Sequence, residues 1–175
     1  MGWRYFSEIH RDEPTPHGEI VDVVVDQAWQ IVRARIETGE HSIMLEPRHG
    51  SLSGALDGKE IQISWGPDMH LDYLTPAMNA ITGMRLDSSA ELDVVYLEPV
   101  SLEPTLVRQR YELLGTDVVA TPAGRFESER WRYTALGTGW TSELWIAEDV
   151  VVRYDRAFEL ISYEPGATGP VPVPS

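Results

Sequence analysis

The hairpin that decides the fold reads GSLSGALDGKEIQISW and spans residues 50–65. Its second half alternates, so that Ile61, Ile63 and Trp65 lie on one side of an extended chain and polar residues lie on the other. Between the two halves, Asp57-Gly58 is a dipeptide typical of the two-residue turn that joins antiparallel strands. The stretch therefore predicts two short strands with one apolar face.

Strand-like segments continue outward from this hairpin in both directions. They alternate with turn signals about every 8 to 12 residues, which is typical of an antiparallel all-β domain. Residues 28–36 fit either a strand or a helix, and we favour a strand because both neighbouring segments are strand-like. The other predicted strands are 21–25, 43–45, 92–100, 105–114, 125–134, 140–147, 150–154 and 158–163.

One short helix is predicted over residues 77–84. Thr75-Pro76 supplies an N-cap side chain followed by a proline at the first helical position, and Gly83 lies near the C-terminal end. Residues 10–18 contain two prolines and two histidines, and this composition predicts a loop. The sequence therefore predicts a mainly β protein with one helical segment.

Charge and length exclude several classes of partner. The chain has 175 residues with 28 acidic and 14 basic side chains, a net charge of −14. This excess disfavours nucleic acids and anionic membranes as partners, and no apolar run is long enough to span a membrane. The length predicts one β-rich domain over 1–164 and an extended or disordered Pro- and Gly-rich tail over 165–175. Because no basic and apolar leader follows Met1, we expect a cytoplasmic protein, and the sequence leaves room for a homodimer.

Motifs for metal, cofactor or nucleophile chemistry are absent from the sequence. There is no cysteine, and the five histidines lack the spacing of metal ligands. Phosphate-binding loops, dinucleotide-binding glycine motifs and serine nucleophile motifs are also missing. We therefore expect no metal and no cofactor.

Three Arg-x-Arg pairs are the most regular charged pattern in the chain. Residues two apart on a strand share a face, so each pair places two guanidinium groups side by side. The pairs either line an anion site on a concave sheet or bind acidic residues on an outer face. They are Arg33 with Arg35, Arg108 with Arg110, and Arg130 with Arg132.

Three blocks of the chain resemble a bacterial family described as glycolipid-binding, most of whose members are uncharacterised. The blocks have the order and spacing of that family between residues 41 and 158, although Met84 stands where the family usually has a second arginine. The matching residues are Asp72, Thr75, Pro76, Asn79, Arg85 and Leu86 in the first block, Gln109, Arg110 and Tyr111 in the second, and Glu143, Val152, Tyr154 and Phe158 in the third.

The resemblance implies a single antiparallel sheet curled into a half-barrel, similar to lipoprotein carriers, with a short helix or loop plugging its concave face. It also implies that the protein binds a hydrophobic or amphipathic small molecule, such as a glycolipid or a fatty acyl chain. Asp72, Asn79 and Arg85 then either fix the helix by hydrogen bonds or face the polar group of the ligand. Tryptophan suits cores and ligand sites alike, and the chain has six. The candidate ligand-binding residues are Trp29, Trp65, Asn79, Arg85, Arg110, Tyr111, Trp131 and Trp145.

Two other functions remain open at this point. One is a cofactor-independent isomerase, dehydratase or cyclase that uses acid–base residues in the same cavity. Its candidate catalytic residues are Asp72, Tyr73, His41 and Tyr111. The other is an interaction module whose Pro-rich segment 170–174 binds a partner.

Overall fold

The computed structural model describes residues 2–12 and 16–164, which form thirteen strands and one helix. The predicted mainly β fold with one short helix is confirmed. The helix is α1 Pro76–Met84. The strands that precede it are β1 Gly2–Arg11, β2 His17–Asp26, β3 Ile31–Glu37, β4 Ser42–Arg48, β5 Ser51–Leu56, β6 Lys59–Ser64 and β7 His70–Asp72. Those that follow are β8 Ala90–Leu97, β9 Pro104–Thr121, β10 Gly124–Ala135, β11 Trp140–Ala147, β12 Val150–Tyr154 and β13 Phe158–Glu159.

The strands belong to two sheets, whereas the family resemblance implied one. The first sheet has the order β1-β2-β3-β4-β5-β6, and each neighbouring pair is antiparallel. The second has the order β13-β12-β11-β10-β9-β8-β7, and β9 to β13 pair in antiparallel fashion. Within the described residues both sheets keep two edge strands and stay open, as a half-barrel requires.

The hairpin predicted from residues 50–65 is formed by β5 and β6. Asp57 and Gly58 have positive φ angles of 51° and 76°. Two positive φ angles give the turn whose twist matches that of the flanking strands. Leu52 lies opposite Ile63 and is fully buried, so the apolar residues of the hairpin face the core as their alternation predicts.

Some predicted segments have different limits in the structure. Residues 28–30 form a turn before β3, because the Asp26 carboxylate accepts hydrogen bonds from the N–H groups of Ala28 and Gln30. The strand predicted over 158–163 is limited to β13. Strands β1 and β2 extend into the predicted loop 10–18, of which residues 13–15 lie outside the described residues. The predicted tail 165–175 also lies outside them.

Helix α1 begins and ends as the sequence predicts. Thr75 has extended backbone angles, and its Oγ1 accepts a hydrogen bond from the Met78 N–H. Pro76 follows at the first helical position, where its missing N–H leaves no hydrogen bond unmade. Met78 and Ile81 are buried, and a side chain at Gly83 would meet Ile146 of β11. The helix is therefore packed closely against the second sheet.

The described chain divides into two compact units. The first comprises 2–12, 16–71 and 97–105, and the second comprises 72–96 and 106–164. The prediction of a single domain over 1–164 stays a prediction. No helix in the described part of the chain is both long and apolar enough to cross a bilayer. Fully buried core side chains are Val21, Val23, Val25, Ile36 and Leu45 in the first unit, and Met78, Trp131, Leu144 and Val152 in the second.

Candidate functional site

The second sheet has two chemically different faces. Tyr111 on β9 pairs with Tyr133 on β10, and both point to the face on which α1 packs. We call this side the helix face. Arg108 and Arg110 alternate with it along β9 and lie on the opposite side, which we call the arginine face.

On the helix face, Tyr111 joins α1 to β9. Its ring is only 1% exposed, and its hydroxyl accepts a hydrogen bond of 2.9 Å from Nδ2 of the buried Asn79. Burial raises the pKa of Tyr111 well above its usual value, and the nearby charge of Asp72 raises it further. Tyr111 is therefore a neutral phenol that holds the helix in place.

A carboxyl group lies beside this pair. Gln109 is buried on β9, and its Nε2 donates to Asp72 Oδ2 at 2.6 Å. Burial raises the pKa of Asp72 from its usual 3.8 to about 6, although the hydrogen bonds from Gln109 and the Tyr73 N–H favour the charged form. Asp72 is thus a half-buried carboxylate at neutral pH that takes up a proton in mildly acidic solution.

Three phenol rings share the helix face with the Asp72 carboxyl. Its charge raises the pKa values of Tyr111, Tyr133 and Tyr154, and burial raises each of them as well. Among the described residues, the hydroxyls of Tyr133 and Tyr154 have no hydrogen-bond partner. They leave two donors on the helix face that a ligand can use.

These rings continue into a row that runs from the core to the surface. Tyr133 meets Tyr111 and Trp140 edge to face, with centroid distances of 5.4 and 5.6 Å. Trp140 stacks on Tyr154 at 6.3 Å with the ring planes 15° apart. Because Tyr111 is buried and Trp140 is 52% exposed, the row joins a solvent-facing aromatic surface to the buried polar groups around Asp72. We call the set Asp72, Tyr111, Tyr133, Trp140 and Tyr154 the aromatic site.

The arginine pairs bind acidic residues rather than lying free. Arg108 and Arg110 both contact Glu91, at 2.7 and 2.5 Å, and Arg110 is accordingly turned away from Tyr111. These contacts hold the pKa of Glu91 below its usual value. The structure therefore favours the outer-face alternative for this pair over the anion site.

The arginines of the other two pairs also contact acidic side chains. Arg130 and Arg132 contact Glu143 at 2.6 and 3.2 Å, and the pKa of Glu143 is lowered by them. In the first sheet, Arg33 contacts Asp22 at 3.3 Å, and Arg35 contacts Glu37.

The two candidate tryptophans of the second sheet are placed differently. Trp131 is fully buried on β10, and its Nε1 donates to Glu129 at 3.1 Å. Its ring meets Tyr111 at 6.5 Å, so it supports the aromatic site from the core side. Trp145 lies on the arginine face, 5.6 Å from the Arg130 guanidinium, and donates to Asp117.

Three candidate residues belong to the first unit. Trp29 stacks on Trp3 at 4.3 Å and adopts a positive φ of 59° in the turn before β3. Trp65 is buried, and its backbone N–H donates to the Gly50 carbonyl. His41 Nδ1 lies 2.7 Å from the carboxylate of Asp57 and helps to fix the β5–β6 turn.

The last two candidates flank α1. Arg85 caps the C-terminus of the helix, where its backbone N–H donates to the Thr82 carbonyl at 3.1 Å. Tyr73 is fully buried directly after β7. Asp72 and Asn79 each bond to a residue of β9, and the bond from Asn79 to Tyr111 fixes the helix.

Sequence reasoning did not select Gln109, Tyr133, Tyr154 or Trp140 as site residues. A signal was present, because Gln109 alternates with the Arg108 and Arg110 pair and Tyr133 follows Trp131 by two positions. Tyr154 belonged to a block that resembles the family but had no role assigned. Among the described residues, no group of three or more His, Asp or Glu side chains is arranged to hold a metal ion.

Comparisons with known proteins bear on the fold. No family model and no curated protein matches the chain. The crystal structure of a DUF1089 family protein from Pseudomonas aeruginosa is similar, with a TM-score of 0.65 and 19% sequence identity over 91% of each chain. At this level of identity the similarity shows that the two proteins share a fold.

Proposed function

We propose that this protein binds an amphipathic or hydrophobic small molecule at the aromatic site. The observation that carries the proposal is the aromatic row, which begins at the exposed Trp140 and ends beside a half-buried carboxyl. Ligand sites typically combine apolar and aromatic walls with a few well-placed polar groups. The site has that composition.

The two ends of the site suit different parts of such a ligand. The stacked rings of Trp140 and Tyr154 offer apolar surface near solvent, while Asp72 and the Tyr133 hydroxyl offer hydrogen-bonding groups further in. Residues on the arginine face are excluded from this proposal, because Arg110 and Trp145 are occupied by their own acidic partners.

The test is recovery of a bound molecule by native mass spectrometry after incubation of purified protein with a cell lipid extract. We expect one class of ligand to be retained by the wild type and largely lost from Trp140→Ala. The matched control is Trp145→Ala, which removes the same side chain from the arginine face and should keep the ligand. Loss of ligand from both variants, or no ligand in the wild type, would contradict the proposal.

A second candidate function is acid–base catalysis on the bound molecule. The observation that favours it is the Asp72 pKa of about 6, since a group that titrates near neutral pH can both accept and release a proton. If Asp72 acts in this way, wild type and Asp72→Asn should retain molecules of different structure, because only the wild type converts them. The two masses are equal for an isomerisation or cyclisation and differ by one water for a dehydration. Identical retained molecules in both proteins would argue for binding alone.

A further inference from the structure

We propose that the polar group recognised at the aromatic site is an organic cation, an alkylammonium or quaternary ammonium group. This inference rests on the proposed function and names the chemical class of its ligand.

The Asp72 carboxylate lacks a counter-ion within the part of the chain that the structure describes. Among the described residues, its side chain is bound by the neutral amide of Gln109, and no Arg, Lys or His forms an ion pair with it. The neighbouring arginines of β9 and β10 instead contact Glu91 and Glu143 on the arginine face. A half-buried carboxylate without a cation nearby is costly, and a cationic ligand would offset that cost.

Aromatic side chains share the helix face with Asp72. Tyr111 lies two residues from Gln109 on the same face of β9, and Tyr133 packs on Tyr111. Trp140 contacts both Tyr133 and Tyr154 and closes the row at the surface. The faces of aromatic rings carry negative partial charge and attract ammonium groups, most strongly where water is excluded. Carboxylate and rings therefore favour the same sign of charge.

Anionic and neutral head groups fit this site less well than a cation. An anionic head group would be repelled by Asp72, and no basic side chain of the described residues contacts that carboxyl. A neutral head group could accept hydrogen bonds from the Tyr133 and Tyr154 hydroxyls but would leave the Asp72 charge unbalanced. An organic cation is the class of ligand that interacts favourably with both the Asp72 carboxylate and the aromatic rings.

The experiment compares three probes with the same ten-carbon chain: decyltrimethylammonium, decyl maltoside and decyl sulfate. Binding is measured by calorimetry at pH 7.5 in 150 mM salt, below the concentration at which each probe forms micelles. We expect the cation to bind about tenfold more tightly than the neutral probe, which is the size of one charge-assisted contact with aromatic support. Decyl sulfate should bind most weakly.

Variants separate the site from the general negative charge of the protein. Asp72→Asn should weaken binding of the cation far more than binding of decyl maltoside and so lose the preference for the cation, while Trp140→Leu should weaken both. The matched control is Asp93→Asn, an exposed carboxylate 3.7 Å from Arg108, which should leave all three affinities unchanged. In the wild type the preference for the cation should fall as pH drops through about 6, and this dependence should vanish in Asp72→Asn.

The outcomes distinguish this inference from the proposed function. If decyl maltoside binds as tightly as the cation, or if Asp72→Asn and Asp93→Asn bind the cation equally well, the cation inference is wrong and amphiphile binding stands. If none of the three probes binds the wild type while the lipid extract also yields no ligand, the proposed function itself fails.

Discussion

At the scale of single residues, the hydrogen bond between Asn79 and Tyr111 is the contact on which the helix depends. Both partners are buried, and the distance of 2.9 Å is that of a well-formed bond. Sequence reasoning assigned both residues to ligand binding, whereas in the structure the Asn79 amide and the Tyr111 hydroxyl are hydrogen-bonded to each other. Their hydrogen bond therefore contributes to a ligand site by holding α1 against β9.

Tyr111→Phe tests this role. Removing the hydroxyl leaves the Asn79 amide buried without its acceptor, and we expect the free energy of unfolding to fall by about 1–3 kcal/mol. Chemical denaturation measures the loss. Tyr163→Phe is the control, because Tyr163 is 42% exposed, and its loss of a hydroxyl should be nearly neutral. Equal losses in the two variants would show that the hydrogen bond to Asn79 does not add to the free energy of unfolding.

At the scale of elements, α1 is held in place by the cap that its sequence predicts. Thr75→Ala removes the acceptor of the Met78 N–H, and N-cap losses of this kind cost about 1 kcal/mol. Thr75→Ser keeps the hydroxyl and should recover most of that stability. The unfolding free energies of the three proteins give the comparison, and a serine variant as unstable as the alanine variant would point to packing of the threonine methyl group instead.

Elements with strong local signals could be predicted from the sequence. The Thr75-Pro76 start, the Asp57-Gly58 turn and the alternation through Ile61 and Ile63 each depend on neighbours only a few residues apart. The strand predicted over 158–163 is shorter in the structure, because Phe158 and Glu159 pair with β12 and the Leu160 N–H then donates to the Val152 carbonyl of that strand. Apolar composition alone does not supply a neighbour for the remaining residues.

At the scale of the whole molecule, local pattern does not specify which strands share a sheet. In both sheets the neighbouring strands are consecutive in sequence, and the division arises because β6 and β7 follow one another without pairing, which the alternation within each strand does not reveal. For the same reason, alternation showed that Arg108 and Arg110 share a face but not which face it is. Gln109 and Tyr133 became candidates only when that face was known.

The pH dependence of stability follows from two opposing sets of carboxyl groups. The ion pairs of Asp57, Glu91 and Glu143 lower the pKa values of these residues, so their contribution is present at neutral pH and is lost as pH falls through the acidic range. Asp72 acts in the opposite direction, because its pKa is raised. Stability should therefore pass through a maximum below about pH 6, where Asp72 is protonated and the ion-paired carboxylates are still charged.

Asp72→Asn isolates the contribution of Asp72 to the pH dependence of stability. The native state binds the Asp72 proton more tightly than the unfolded chain does, so this stabilisation is complete below pH 3.8 and is lost as pH rises through about 6. The loss amounts to at most about 3 kcal/mol at pH 7. Asparagine does not titrate, and the variant should gain stability relative to wild type across that range, as measured by urea unfolding from pH 4 to 7.5. Asp93→Asn should show no such gain, and a difference between Asp72→Asn and wild type that stays constant with pH would mean that Asp72 is already solvated in the native state.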